Sequence, residues 1–110
     1  MLLPKLREEV LEAHLELVRR GLVLYTFGNA SGISREDSLV VIKPSGVPYE
    51  RMKPEDLVVT DLHGKIIEGH LRPSWDLATH IVVYKAFPEI GGVSHTPTTW
   101  QEFSKTKGGS

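Results

Sequence analysis

The chain has 110 residues, of which 40% are hydrophobic and 25% are charged, and its formal net charge is −1 at pH 7. These values are typical of one small globular domain or part of one, and the balanced charge gives no basis for binding nucleic acid or an anionic membrane. The sequence contains no cysteine, which excludes disulfides and thiolate ligands, so any zinc must be held by histidine and carboxylate groups.

The first half of the sequence predicts one long helix followed by short strands. Apolar residues at intervals of three and four positions predict an amphipathic helix over residues 3–20, and Gly21 is the expected stop. Residues 22–25 then predict a strand, and residues 28–32 predict a loop of small side chains. An apolar run at residues 39–42 predicts another strand, which the following Lys-Pro-Ser-Gly sequence ends.

The second half predicts a hairpin and a second helix. Residues 57–60 and 65–68 have the composition of two strands around a turn, and a single helical turn is predicted just before them. Ser74 is a suitable N-cap, with Asp76 in the first turn of a helix that runs to about Phe87.

The chain loses its regular pattern after one more strand. Residues 92–95 predict that strand, which has no evident partner further along the sequence. Residues 97–110 show neither a helical nor a strand period and predict a divergent, disordered tail. The predicted domain therefore covers residues 1–96, and its elements indicate a mixed α/β fold.

Three loops of small residues are candidates for holding a phosphate group. They are Gly28-Asn29, Ser45-Gly46 and the Arg-Pro-Ser sequence that ends at Ser74. Backbone N–H groups in glycine-rich turns and at helix starts bind phosphate, and hydroxyl groups assist them. Taken alone, each loop is explained more simply by turn geometry.

Asp76 and His95 are candidate metal ligands. The ordinary role of a first-turn acid such as Asp76 is to complement the helix dipole. His95 ends an apolar strand, where a buried and hydrogen-bonded histidine is the simpler interpretation. Two histidines at i and i+2 on a strand would face one cation, but here the second position is Pro97, which has no ligand atom.

Other residues that carry polar groups predict packing roles. His80 lies four residues after Asp76 on one helix face, where it either pairs with Asp76 or packs and hydrogen-bonds. His14 reads as a helix-face residue of the first helix, and Tyr84 belongs to the apolar stripe of the second helix.

Taken together, these segments closely resemble the amino-terminal half of the class II aldolase and adducin-head family. The resemblance covers residues 3–96, and within the family it is strongest to the L-ribulose-5-phosphate 4-epimerases. It is carried by segments that occur in one order and spacing: residues 26–31, 42–47, 68–69, 72–76 with 79–80, and 87–96. The family resemblance implies an α+β fold with a central, mainly antiparallel sheet flanked by helices, here truncated.

The resemblance also implies a function and a set of site residues. The family's epimerases are metal-dependent isomerases of pentose phosphate metabolism and arabinose catabolism. They cleave a carbon–carbon bond of a pentulose phosphate in retro-aldol fashion and re-form it with inverted configuration. The implied substrate and phosphate contacts are Gly28, Asn29, Ser45, Gly46, Ser74 and Trp75. The implied ligands of a divalent metal, typically zinc, are Asp76 and His95.

Two departures from the family pattern predict an impaired chain. Trp75 stands where the epimerases have a second serine, which removes a phosphate-binding hydroxyl and adds bulk. Pro97 replaces the second metal histidine, and the third histidine and the later catalytic residues belong to the half of the family fold that this chain lacks. We therefore assign no catalytic residue within the chain, and expect zinc to bind weakly or not at all.

Two alternative functions stay open. The first is a class II sugar-phosphate aldolase, although such enzymes usually have glutamate at the position of Asp76. The second is a non-catalytic binding or assembly module like the adducin head, which keeps the fold without the metal site. Loss of the histidine at position 97 favours this second alternative.

The expected partner is a sugar phosphate, with neither nucleic acid nor membrane as a partner. The resemblance implies a homotetramer with sites at subunit interfaces, a state that is doubtful for this short chain. The amino-terminal residues carry charges in place of the apolar core of a signal peptide, and no apolar run is long enough to span a membrane. These features predict a cytoplasmic protein.

Overall fold

An antiparallel sheet with one helix on each face organises the chain. The computed structural model describes residues 1–20, 29–48, 51–95 and 100–103. In chain order the elements are helix α1 (Pro4–Arg19), strands β1 (Asn29–Ser34) and β2 (Leu39–Ile42), a 3₁₀ turn (Pro54–Asp56), strands β3 (Val58–Asp61) and β4 (Ile66–Glu68), helix α2 (Leu77–Ala86), and strands β5 (Gly92–His95) and β6 (Trp100–Phe103). The strand order is β4-β3-β2-β1-β5-β6, and each neighbouring pair is antiparallel.

Most elements confirm the sequence prediction. Helix α1 lies within the predicted helix at residues 3–20, and strands β2 and β5 have the predicted bounds. Strand β2 is apolar at every position because both of its faces are covered. Val41 packs in the layer under α1, whereas Val40 and Ile42 pack in the layer under α2. The predicted α/β fold with an antiparallel sheet and flanking helices is therefore confirmed.

Strand β1 corrects the expectation of a loop at residues 28–32. It lies in the interior of the sheet, where Ser31 is opposite Ile42 of β2 and also opposite Val93 of β5. Its residues are small because α1 crosses close to it: a Cβ atom at Gly32 would lie only 2.7 Å from Leu6 Cδ1. Residues 29–32 therefore lack the β-branched side chains that usually signal a strand, and only Ile33 in β1 has one.

Helix α2 begins later than the sequence predicts. Asp76, rather than Ser74, occupies the N-cap position, and its side chain makes no capping hydrogen bond. Ser74 is held outside the helix because its backbone N–H donates to the Lys43 carbonyl at 2.9 Å. The Ser74 hydroxyl still accepts a hydrogen bond from the Asp76 N–H, at 3.3 Å.

Strand β6 differs from the prediction that residues 97–110 form a tail without regular structure. It pairs along the whole of β5, from Gly92 opposite Phe103 to His95 opposite Trp100. Strand β5 therefore has the downstream partner that the sequence pattern does not show. The remaining tail at residues 104–110 and the predicted strand at residues 22–25 lie outside the described residues.

The core consists of two apolar layers, one on each side of the sheet. The layer under α1 contains Leu6, Val10, Val41, Met52, Leu57 and Val59. The layer under α2 contains Ile33, Val40, Ile42, Val58, Leu77, Ile81, Tyr84, Ile90 and Val93. No helix among the described residues is long and apolar enough to cross a membrane.

Candidate functional site

The sheet topology brings several predicted site segments to one end of the fold. Asn29 begins β1 and His95 ends β5, and their Cα atoms are register partners. The loop at residues 43–46 follows directly after Ile42, the last residue of β2. In an antiparallel sheet the start of one strand lies beside the ends of its neighbours. The backbone at positions 29 and 95 and this loop therefore share one end of the sheet.

Two of the three predicted phosphate loops contact each other through their backbones. Pro44 and Pro73 form an isolated antiparallel bridge. The Ser45 N–H donates to the Arg72 carbonyl at 2.8 Å, and the Ser74 N–H donates to the Lys43 carbonyl at 2.9 Å. Both hydrogen bonds join the loop at residues 43–46 to the loop at residues 72–74. Gly46 has φ of +80° and no described atom within 4 Å of a Cβ built there. Glycine is therefore required at position 46 for its backbone conformation rather than for close packing.

Helix α2 also begins at this end of the sheet. Ser31, near the start of β1, contacts His80 and Tyr84 in the first and second turns of α2. Arg35, just beyond the end of β1, donates to the Tyr84 carbonyl in the last turn of α2 and to two carbonyls just beyond the helix. Helix α2 therefore runs in the same direction as β1, which places the partly buried Asp76 at the site end.

A buried hydrogen-bonded cluster lies directly beneath this end. The Ser31 hydroxyl oxygen is 2.6 Å from His80 Nδ1 and 2.6 Å from the Tyr84 hydroxyl oxygen. All three side chains are fully buried. Burial raises the pKa of the Tyr84 hydroxyl above its usual range, although the hydrogen bond with Ser31 opposes this shift. Tyr84 is therefore neutral at physiological pH and keeps its proton for hydrogen bonding.

His14 holds the other face of β1. Its Nε2 atom accepts a hydrogen bond from the Ala30 N–H at 2.9 Å and lies 3.0 Å from the Ala30 carbonyl oxygen. Burial, and then the nearby charge of Lys43, lower the pKa of His14 to about 3. The ring is therefore neutral at pH 7, and the tautomer with its proton on Nδ1 accepts the hydrogen bond from the Ala30 N–H.

Lys43 brings a buried cation to the same end of the sheet. Only 2% of its surface is exposed, and its ammonium group donates to the Pro44 carbonyl at 2.9 Å. Burial lowers the pKa of this ammonium group below its usual value. A cation that follows β2 directly contributes positive potential to the loop at residues 43–46.

Sequence reasoning missed the roles of His14, Ser31 and Tyr84. The Ala30 partner of His14 lies 16 residues away, and the Tyr84 partner of Ser31 lies 53 residues away. No local pattern reports contacts of that separation. The available signal was a polar residue within an apolar stripe, which His14 provides four positions after Val10 in α1.

The structure describes the other predicted site residues to different extents. Trp75 is 83% exposed beside the start of α2. Asn29 and His95 are described by their backbone positions, and Gly28 and Pro97 lie outside the described residues. Within the described part of the chain, no three His, Asp or Glu side chains come together in a group that could hold a metal ion. The assignment of these residues to substrate and metal stays a prediction.

The family model of the class II aldolase and adducin N-terminal domain matches residues 8–102. This chain belongs to that family. The class II aldolase domain is also similar to solved structures. An L-fuculose 1-phosphate aldolase has a TM-score of 0.78 and 32% identity over 84% of this chain and 45% of its own. The L-fuculose-1-phosphate aldolase of Thermus thermophilus has a TM-score of 0.67 and 29% identity, over 87% of this chain and 47% of its own.

A third similar structure broadens the chemistry found among the relatives. YgbL from Escherichia coli, a proposed aldolase/epimerase/decarboxylase, has a TM-score of 0.76 and 25% identity over 84% of this chain and 44% of its own. The class II aldolase domain thus spans slightly less than half the length of each of these proteins. Class II aldolases generally depend on a divalent metal, and homologues of this domain act on sugar phosphates.

Proposed function

We propose that this domain serves in a metal-dependent enzyme that cleaves a carbon–carbon bond in a sugar phosphate, with 4-epimerisation of L-ribulose 5-phosphate as the first candidate reaction. The observation that supports this most is the meeting of two small-residue loops with the start of α2 at one end of the sheet. The hydrogen bonds from Ser45 to Arg72 and from Ser74 to Lys43 hold the two loops together. Neither loop alone would support the proposal.

The phosphate is assigned to the loops at residues 43–46 and 72–74. The N–H groups of Ser45 and Ser74 stabilise the loops themselves. The proposed phosphate contacts are therefore the two serine hydroxyls and the Gly46 backbone. The start of α2 and the buried Lys43 ammonium group favour an anion at this position.

Trp75 gives this domain a different surface from that of the epimerases. The resemblance implies a serine at position 75, and the exposed tryptophan replaces its hydroxyl with a large apolar ring. We propose that Trp75 weakens phosphate binding and covers the sugar instead. Gly28 and Asn29 are assigned to the sugar as well, on the resemblance and on the position of Asn29 at the start of β1.

The divalent metal is assigned to Asp76 and His95. A carboxylate and an imidazole are suitable zinc ligands, but catalytic zinc usually has three protein ligands. The two assigned residues thus fit part of such a site, and weak binding is expected from this chain alone. When bound, a divalent metal stabilises negative charge that develops on an oxygen of the substrate.

An aldolase is the second candidate. The 32% identity to an L-fuculose 1-phosphate aldolase favours it. Asp76 favours the epimerase, because the resemblance implies glutamate at this position in the aldolases. We also propose a cytoplasmic location for the protein.

The deciding experiment gives the purified chain each substrate in turn, with and without Zn²⁺. Zinc-dependent formation of the C4 epimer from L-ribulose 5-phosphate supports the first candidate. Release of a three-carbon ketose phosphate from L-fuculose 1-phosphate supports the second. Asp76→Asn is the matched variant, and it should lower either rate. The absence of both products at full zinc loading would reject both reactions and leave the non-catalytic binding module.

A further inference from the structure

The buried cluster of Ser31, His80 and Tyr84 lies within an otherwise apolar layer. Ile33, Ile42 and Val93 surround it in the sheet, and Ile81 follows His80 in the helix. Burying polar groups is unfavourable unless they are hydrogen-bonded, and an apolar residue at each position would pack the helix equally well. The cluster therefore supplies something that apolar packing does not supply.

The cluster supplies directional hydrogen bonds, which apolar packing lacks. Apolar packing has little directionality, so it fixes the position of a helix along a sheet less sharply than hydrogen bonds do. The two 2.6 Å contacts of the Ser31 hydroxyl tie α2 to β1 at successive turns. Val93 of β5 lies in the same buried layer as Tyr84. Helix α2 is thus hydrogen-bonded to β1 and packs in one layer with β5, and these two strands meet at the candidate site.

The tied positions are close to the candidate residues. Ser31 lies two residues after Asn29 in β1, and Val93 lies two residues before His95 in β5. On the helix side, the His80 N–H donates to the Asp76 carbonyl at 3.0 Å. A slip of α2 by one residue would move Asp76 by about 1.5 Å along the helix axis and rotate it by about 100°. Such a slip would remove any fixed relation between Asp76 and the strand ends.

We propose that Ser31, His80 and Tyr84 are positioning residues, which together fix Asp76 relative to the strand ends at Asn29 and His95. The inference rests on the proposed function, since it concerns the residue to which the metal is assigned. The three side chains act on the site through the helix and are not assigned any contact with substrate.

The test compares Tyr84→Phe and Ser31→Ala with a matched apolar variant, Ile81→Val. Ile81 lies in the same layer of α2, and its truncation loosens packing without removing a hydrogen bond. Two quantities are measured for each folded protein: the amide chemical shifts of residues 74–77 by NMR, and Zn²⁺ affinity by calorimetry. Tyr84→Phe and Ser31→Ala should shift these amides and lower Zn²⁺ affinity about 10-fold. Ile81→Val should leave both unchanged.

The two measurements separate this inference from the proposed function. If the wild-type chain binds no Zn²⁺, the metal assignment fails, and the amide shifts alone decide the positioning role. Amide shifts at residues 74–77 that match those of Ile81→Val would overturn the inference. If Tyr84→Phe does not fold, Ser31→Ala decides in the same way, since it removes one hydroxyl and adds no bulk.

Discussion

Acidification should destabilise this fold through the buried ring of His14. The pKa of His14 is about 3 in the folded chain, against 6.5 for a solvated histidine. Between these values the unfolded chain binds a proton that the folded chain does not, so stability is complete above pH 6.5 and falls as the pH is lowered. The slope for one such group is about 1.4 kcal/mol per pH unit. Lowering the pH from 7 to 5 should therefore cost about 2 kcal/mol.

The assay is urea unfolding followed by circular dichroism at pH 7 and pH 5. The range stops at pH 5 because Asp61 and Glu16, whose pKa values are lowered by hydrogen bonds with the Lys65 backbone and the Arg20 side chain, stay ionised there. His14→Gln keeps an acceptor for the Ala30 N–H but does not titrate, so its stability should change much less. His63→Gln is the matched control at an exposed turn and should keep the wild-type loss.

An equal loss of stability in wild-type and His14→Gln proteins would refute this reasoning. It would show that the pH dependence comes from other groups, and that burial at its contact with Ala30 does not hold His14 neutral. Protonation would also reverse that contact, since a protonated Nε2 can donate to the Ala30 carbonyl but cannot accept from the N–H.

Three further substitutions test separate parts of the account. Arg35→Ala removes three hydrogen bonds to carbonyls in and just after the last turn of α2 and should cost about 2 kcal/mol by urea unfolding; a cost near zero would show that these hydrogen bonds do not stabilise the fold. Gly32→Ala should cost about 1–3 kcal/mol because its methyl group would collide with Leu6, and Leu6→Ala in the same chain should make the added methyl group less costly. Pro97→His should raise Zn²⁺ affinity by calorimetry, since it adds an imidazole two residues after His95, and unchanged affinity would count against the metal assignment.

The sequence predicted those elements whose spacing of apolar residues matches the faces that they bury. The run Leu39–Ile42 is apolar because both faces are covered, and α1 shows its buried stripe in its spacing. Strand β1 was missed because it contains Gly32 and other small residues of low strand propensity. Gly32 is needed there because α1 packs too close to the strand for a larger side chain. Strand β6 was missed because its own residues show no strand pattern, and it forms a strand through its pairing with β5.

The candidate site was predicted in a different way from the fold. No single loop was specific enough to indicate a binding site. The order and spacing of several segments indicated the family, and the family model confirmed it. The buried contacts among Ser31, His80 and Tyr84 could not be predicted, since residues 49 and 53 positions apart meet only in the folded chain. Sequence therefore named candidate residues that the fold brings to one end of the sheet, but it did not reveal the cluster beneath them.

The most direct test of the central claim maps ligand contacts on the chain itself. Amide NMR spectra are recorded while L-ribulose 5-phosphate is added in the presence of Zn²⁺. The account predicts chemical shift changes at residues 43–46 and 74–76, where the two loops meet the start of α2. Changes confined to residues 34–37 at the opposite end of the sheet, or no changes at saturating ligand, would contradict it.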